Sequence, residues 1–578
     1  MLATLPAILL LAALQEPSSV PGAYRGPEDE TLLEFVSHGS TAGGTGSPGQ
    51  IMHPFTGGWD RWEFWFEHER DVLFRGEPDF PARAVNDRGT YGTEDWAVER
   101  QDLLLTSIPL LIDALDSDLP AVREAAALSL GRIGYSSADF FLQRATQDKV
   151  ESVRQAAYMG LGLISSEPGV SFLVEVFEED HDASTRAFAA LGLGLSGRVE
   201  AGSALKVYLN SVLYGESWNS DEDLTLAAMV AAGVHGSHDF TPLLMSLLEA
   251  TSKKKGNHRL VSAAIQSLGA LQDSRARPML EEMLQSKGDR IPEAAAQALG
   301  RLGDRAAVLA LADIYQESHD TRLRSYSLLA MGRLGGRQAE VKLKELRPEK
   351  KEEESIHASW ALAAGMCRLD GAYPQLVSTL LYGTDDREHE EDRAPRRDEE
   401  VLRGAAAMAL GLYGAPGAKS QISLCLDADG VDPSFRGYLA MGLGMLATHP
   451  ADELLLELAK DREAPIQTRR GIAAGLGRSN SERTSVALVD MLIRDQDDSV
   501  RWAASRALAT SRSTAALRRL AQQLRTELDR KEHDPQTAHL VLGLGFLGDA
   551  HDGATISSML AGMDFRQESR LLVALRKY

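Results

Sequence analysis

Apolar and polar positions return along this chain in one repeated order. A Leu-rich amphipathic run comes first, as in Ile108 to Leu115 or Thr484 to Leu492. A polar turn follows. Then comes a run of small and apolar residues, with an arginine near its start and a Leu-Gly or its equivalent near its end. Apolar residues at this spacing predict helices, so each unit reads as a helix pair. The clearest stretch is Glu399 to Ser511, where the unit occurs four times and closes on Gly411, Gly444, Gly477 and Ala509. Anchored on that closing residue, thirteen units run from about Leu103 to the end. Their anchors are Gly131, Gly162, Gly194, Gly233, Gly269, Gly300, Gly332, Gly365, Gly411, Gly444, Gly477, Ala509 and Gly545. Eight of the twelve intervals are 31–33 residues, a regularity that predicts an all-α repeat array rather than a compact enzyme core.

Within each pair the second helix carries the informative residues. It often opens on an Asp that can cap its free amides, with a proline just inside, most clearly at Asp432-Pro433 and Asp534-Pro535. Arginine recurs at Arg123, Arg154, Arg186, Arg324, Arg403, Arg436, Arg469 and Arg501. An acidic residue stands about one turn earlier in Asp182/Arg186, Asp320/Arg324 and Glu399/Arg403. We expect these arginines to form a structural ladder, bonding turn carboxylates or carbonyls rather than a ligand. Glycine inside a helix costs about 1 kcal/mol against alanine. Its recurrence at one place predicts close approach of stacked helices. With layers 8–10 Å apart, the array would run roughly 110–130 Å along its curve.

The first hundred residues differ. Leu2 to Leu14 is an apolar run too short to span a bilayer, followed by the polar Gln15-Glu16. Residues 1–15 are therefore expected to be an export signal, leaving a periplasmic or extracellular chain, although no Lys or Arg precedes the run. Residues 16–50 are rich in Pro, Gly and Ser and are expected to be a flexible leader. Residues 51–102 hold four of the seven tryptophans, Trp59, Trp62, Trp65 and Trp96. Trp59, Trp62, Trp65 and Phe66 fall near one face of a helix. The expected role is an N-terminal cap over the apolar face that a repeat array leaves bare at its end. The alternative is an aromatic ligand face for a peptide or glycan.

Composition narrows the partner. Acidic residues outnumber basic ones, 83 to 61, for a net charge of −22. That field disfavours nucleic acid and anionic lipid and favours a basic protein or peptide. The longest interval, 46 residues, holds the charged stretch 385–400, which reads as a solvated linker with an electrostatic docking loop as the alternative. Cys367 and Cys425 sit in apolar helical runs and read as small buried hydrophobes.

Little catalytic chemistry emerges. GxGxxG occurs at Gly192–Gly197 and Gly543–Gly548, but both copies close a helix, whereas a dinucleotide site needs the motif to open one. GxSxG, HExxH, GxxxxGK[ST] and CxxC are absent. His68 beside Glu67 and Glu69, and His389 beside Glu390 and Glu391, are weak candidates for a divalent cation. No cofactor, metal or catalytic residue is assigned, and no transmembrane span is expected in the repeats.

The motif Asp-x-x-Val-Arg-x-x-Ala-x-x-x-Leu-Gly, as in Asp495–Ala509 and Asp116–Gly134, resembles HEAT-like repeats. The interval near 32 is similar to the short class named after phycocyanobilin lyases. The layout as a whole is similar to large exported bacterial HEAT-repeat proteins. The resemblance covers residues 103–578 and implies a right-handed α-solenoid that acts as a non-catalytic scaffold for a protein or peptide. It also implies an alternative, a lyase-like activity on a bilin or other tetrapyrrole. A carbohydrate-binding module on the Trp59–Trp65 face is a third expectation.

Overall fold

A computed structural model describes residues 100–549, apart from 216–220, 254–256, 288–289, 384–396, 531–533 and six single positions. Twenty-six α-helices fill these residues and alternate between two layers. The odd-numbered ones are α1 (Arg100–Ala114), α3 (Asp139–Ala145), α5 (Glu167–Glu179), α7 (Val199–Tyr214), α9 (Thr241–Ser252), α11 (Arg277–Leu284), α13 (Val308–Glu317), α15 (Gly336–Glu345), α17 (Tyr373–Tyr382), α19 (Ala418–Leu426), α21 (His449–Leu458), α23 (Glu482–Arg494) and α25 (Thr514–Leu528). Between them lie α2 (Pro120–Ile133), α4 (Glu151–Ile164), α6 (Ala183–Ser196), α8 (Glu222–His235), α10 (His258–Ala270), α12 (Ile291–Leu302), α14 (Thr321–Leu334), α16 (Glu354–Cys367), α18 (Arg397–Tyr413), α20 (Pro433–Leu446), α22 (Ile466–Leu476), α24 (Asp498–Ala507) and α26 (Thr537–Leu547). The thirteen pairs are the thirteen units of the sequence.

Capping residues set where the even helices begin. Asp182 accepts from the Thr185 N–H, Asp320 from Arg322 and Leu323, and Asp497 from Ser499 and Val500. The Asp432 carboxylate does the same for Ser434 and Phe435, with Pro433 opening α20. At Asp534 the carboxylate accepts from Gln536, and α26 begins only at Thr537. Arg397 to Glu400, expected in the charged loop, form the first turn of α18.

Each even helix packs along the even helices on both sides, α2 on α4, α4 on α6 and so on to α26. The odd helices sit against the even ones and meet one another sparsely, so they form the wider, outer layer. The series does not end open. Helix α26 packs on α2, and α25 on α1, so the thirteen pairs close into a ring. Each repeat therefore contributes about 28° of rotation.

One joint recurs around the ring. The anchor residue of an even helix meets the residue two before the next anchor. A Cβ on Gly131 would lie 2.5 Å from the Gly160 Cα, and one on Gly162 would lie 2.6 Å from the Gly192 Cα. No side chain fits in that space. The closing joint has the same register: a Cβ on Gly545 would lie 2.8 Å from the Ser129 Cα. It also repeats a hydrogen bond. Ser267 Oγ donates to the Met229 carbonyl at 2.8 Å between α10 and α8, and Ser129 Oγ donates to the Val541 carbonyl at 3.0 Å between α2 and α26. Arg132 adds an ion pair with the buried Asp549 at 2.8 Å and lies 4.4 Å over the Phe546 ring.

Closure changes the meaning of the chain's ends. The length expected along the curve becomes a circumference. The apolar face that a cap was expected to cover, on the first repeat, is covered by α25 and α26. Trp59, Trp62, Trp65 and Phe66, with the signal and leader stretches, lie outside the described residues.

The joint geometry makes a specific forecast. Gly162→Val and Gly545→Val should each cost about 1–3 kcal/mol by overpacking, measured by urea denaturation. Only Gly545→Val should also raise the radius of gyration in solution scattering, because the closing joint can part without breaking the chain. An unchanged radius would count against closure.

Candidate functional site

The ring's inner face follows from the joints. Along a helix each residue turns about 100°. The anchor faces the next even helix. The residue two before it faces the previous even helix and the outer layer, as Gly160 does against Ala127 and Leu142. Position three before the anchor and the one after it are left to face the ring axis, while position seven before turns partly toward the next even helix, as Gly437 does against Gln467 and Gly471. Contacts between neighbouring helices agree. Gln266 Nε2 lies 3.3 Å from Gln297 Oε1, Arg301 Nη1 donates to Gln266 Oε1 at 2.8 Å, and Trp502 packs edge-on against Phe546.

Those three positions divide the inner face into sectors. Helices α6 and α8 present Leu191, Leu195, Leu226, Val230 and Val234. Helices α16, α18 and α20 present Leu362, Met366, Met408, Leu412, Met441 and Met445. Between these apolar sectors stand Arg301 and Arg333 on one side, with Arg290 and Arg322 eleven residues earlier, and Arg470, Arg478 and Arg506 on the other. Over thirteen helices the three positions hold six arginines, no lysine and two acidic residues, Glu124 and Glu293. The inner face is basic in a chain whose net charge is −22. Burial raises the Glu293 carboxyl above its ordinary value, although Arg322 stands 3.7 Å away.

Much of the inner face is buried, although Leu195, Leu412, Arg333, Arg470, Arg478 and Arg506 are half-buried. Leu226, Val230, Gln266, Leu362 and Met408 are 0% exposed. Two polar atoms among the arginines, Gln297 Nε2 and Ser325 Oγ, are buried with no hydrogen-bond partner among the described residues.

The recurring arginines of the sequence lie elsewhere, at the turns. Arg123 donates to Asp148 at 2.8 Å and to the Ser117 carbonyl. Arg154 donates to the Asp148 carbonyl, and Arg186 to that of Phe177. Arg324 reaches the Tyr315 carbonyl and Glu352. Arg403 donates to Leu380 and Arg436 to Leu426. Arg469 pairs with Asp495 at 2.8 Å, and Arg501 donates to the Asp495 carbonyl. The Arg324 hydrogen bond holds the Glu352 carboxyl below its usual range. These arginines tie loops to helices, whereas the inner-face set escaped the sequence reading. Its signal was available: the same three offsets, tabulated repeat by repeat, separate the arginines from the leucines.

Other chemistry is sparse among the described residues. Cys367 and Cys425 are both buried and free, and burial pushes the Cys367 thiol up to about 12, so it is inert. No three His, Cys, Asp or Glu side chains gather as a metal site would need, and no described helix is long and apolar enough to cross a membrane. A cleft between α21 and α23 is bordered by Lys460, Arg462, Arg494, Asp461, Glu463 and Asp490, a mixture that selects neither sign.

A family profile described as HEAT repeats matches residues 76–162, 108–194, 244–332 and 453–532. No curated protein matches the chain. Among solved structures, the complex of CpcE and CpcF of phycocyanin lyase from Nostoc sp. is 23% identical, covering 45% of this chain and 94% of its own, with a TM-score of 0.29. Human deoxyhypusine hydroxylase is 17% identical, covering 50% and 98%, with a TM-score of 0.22. Importin beta is 11% identical, covering 78% and 80%, with a TM-score of 0.29. At these scores the likenesses carry no argument about function.

The outer layer offers a test of burial. Ser479 Oγ donates to Asp452 at 2.8 Å, and Ser166 makes the same bond to Asp139, again 27 residues apart. Burial pushes the Asp452 carboxyl up to about 6, against the lowering effect of Ser479. Unfolded, it titrates near 3.9. The folded state therefore binds this proton more tightly. Its contribution is full below about pH 4 and is lost as pH rises through 6. Asp452→Asn should be about 1–3 kcal/mol more stable than the parent at pH 8 and no more stable at pH 4, read by urea denaturation at both pH values.

Proposed function

The chain is a HEAT-repeat protein, and on that premise we propose that it is a non-catalytic scaffold that holds a polypeptide segment inside its ring. The observation that carries this reading is the inner face, where arginine sectors alternate with methionine and leucine sectors. Arginine suits carboxylates through its planar fork, and methionine adapts to aromatic and irregular apolar surfaces. The preferred segment is acidic and rich in aromatic residues. A basic partner, expected from the net charge of −22, is the second reading, and it belongs to the outer surface. Export rests on the apolar run Leu2–Leu14. The bilin reading rests on the repeat class alone. The glycan reading rests on Trp59, Trp62 and Trp65, outside the described residues.

The test uses two labelled peptides of equal length, one Glu- and Trp-rich and one Lys-rich, titrated with the full chain. The acidic peptide should bind and should weaken as salt rises. Arg301→Ala combined with Arg333→Ala should weaken it at least about tenfold, since hydrogen bonds to charged groups are worth about 1.5–3 kcal/mol each. Preference for the Lys-rich peptide, unmoved by those substitutions, would shift the function to the outer surface. For export, N-terminal sequencing of the mature chain should find a start just after Ala13 to Gln15, and a start at Met1 would sink that part.

A further inference from the structure

The outer layer carries one apolar face that holding the ring together does not use. Nine large apolar side chains are exposed among the described residues. Six stand alone, one each on α1, α3, α13, α15, α17 and α19, as scattered surface residues do. The other three, Val199, Val207 and Tyr214, are all on α7, at 78%, 69% and 81% exposed. At about 100° and 1.5 Å per residue they fall within about 80° of one another, on a strip about 22 Å long. Ser203 and Asn210 lie in the same arc, exposed, short and uncharged. Helix α7 has 16 residues against 13 in α5, so Tyr214 stands about one turn past the end of α5.

The neighbouring helix supplies charge. Tyr208 packs edge-on against Phe177 of α5, with ring centroids 5.4 Å apart, so α5 flanks the Val207 edge of the strip. Ser166 and Arg198, the residues before the two helices, correspond, and that offset sets the outward positions side by side. Glu167 then stands opposite Val199, Glu175 opposite Val207 and Glu178 opposite Asn210. All three glutamates are exposed, and α5 contains no lysine or arginine. None of the three has an ion-pair partner among the described residues. On the far edge of the strip, Lys206 is held by Asp239 at 2.9 Å. The face is thus apolar along its centre, with unpaired acid along one flank.

We propose that this face docks a basic amphipathic helix of about four turns, the length of the strip. Its apolar residues, one or two turns apart, lie on Val199, Val207 and Tyr214. Its lysines or arginines reach over α5 to Glu175 and Glu178. Helices packed about 8–10 Å apart bring those charges within reach of each other. The short side chains of Ser203 and Asn210 permit that approach. A second copy of this chain fits less well, because two copies at a net charge of −22 repel and would set glutamate against glutamate. The face belongs to the layer opposite the inner wall, so it stands whether or not the ring holds an acidic segment.

The experiment titrates the full chain with a labelled peptide of about 18 residues, Leu on one helical face and Lys on the other. Two control peptides keep its length: one scrambles the same residues, and one carries Glu in place of Lys. The ordered Lys peptide should bind best, and more weakly as salt rises. Val207→Asp should weaken it at least about tenfold, because the apolar contact is lost. Glu175→Lys combined with Glu178→Lys should weaken it about threefold to tenfold and flatten the salt dependence. Val341→Asp, at an exposed valine on α15, should leave binding unchanged, as should Arg301→Ala with Arg333→Ala. Circular dichroism should show every variant folded, since Val207, Glu175 and Glu178 point outward. Equal binding of the scrambled peptide, preference for the Glu peptide, or a loss with Val341→Asp as large as with Val207→Asp would overturn the proposal. So would a dimer of the chain, seen by sedimentation, that Val207→Asp dissociates, because the face would then belong to a second copy.

Discussion

The close approach of the inner helices is the constraint on which the rest depends. Gly131 against Gly160, Gly444 against Gly475 and Gly545 against Ser129 leave no room for a side chain. The outer helices pack through leucine and phenylalanine, as with Leu142, Leu173 and Phe177. A repeat that is narrow inside and wide outside is a wedge. Thirteen similar wedges turn the array through a full circle, and the chain meets itself in the register it used at every earlier joint. The conformational cost of each helical glycine, about 1 kcal/mol, is offset by dispersion and packing that a Cβ would forbid.

Closure alters how such a protein holds together. In an open array each repeat touches only its neighbours and the two ends have one neighbour each, so they fray first. Here α1 and α2 have α25 and α26 beside them. The Arg132–Asp549 pair and the Ser129–Val541 hydrogen bond join residues 417 and 412 positions apart. Opening the ring means losing a whole joint rather than a frayed helix. The entropy of closing so long a loop is repaid because each of the thirteen joints already carries most of the required curvature.

That distance explains what could be read from the sequence and what could not. Repeat number, helix pairing and the glycine joints all express themselves within about forty residues, so spacing and periodicity reveal them. Closure does not. Nothing in Gly545 announces Ser129, because the contact depends on the summed rotation of every repeat between them. The arginines divided the same way. Arg123, Arg324 and Arg469 recur at one place in the repeat and were legible as a set. Arg301, Arg333 and Arg478 occupy the position after the anchor, where most other repeats carry an apolar residue such as Leu195, Val234, Met366 or Phe546, so their shared surface became visible only once the ring brought them together.

A net charge of −22 is an average over a closed surface with two sides, and the two sides differ in sign. An arginine turned toward the ring axis loses hydration where it is buried, as Arg301 is, and less where it is half-buried, as Arg333, Arg470, Arg478 and Arg506 are. The turn arginines show how this chain meets such a cost, each finding a carbonyl or carboxylate within hydrogen-bond reach. The inner arginines do likewise: Arg132 pairs with Asp549, Arg301 donates to Gln266, and Arg322 stands near Glu293 and Asp320. The wall still carries more arginine than acid, and that excess is the charge an acidic segment would meet.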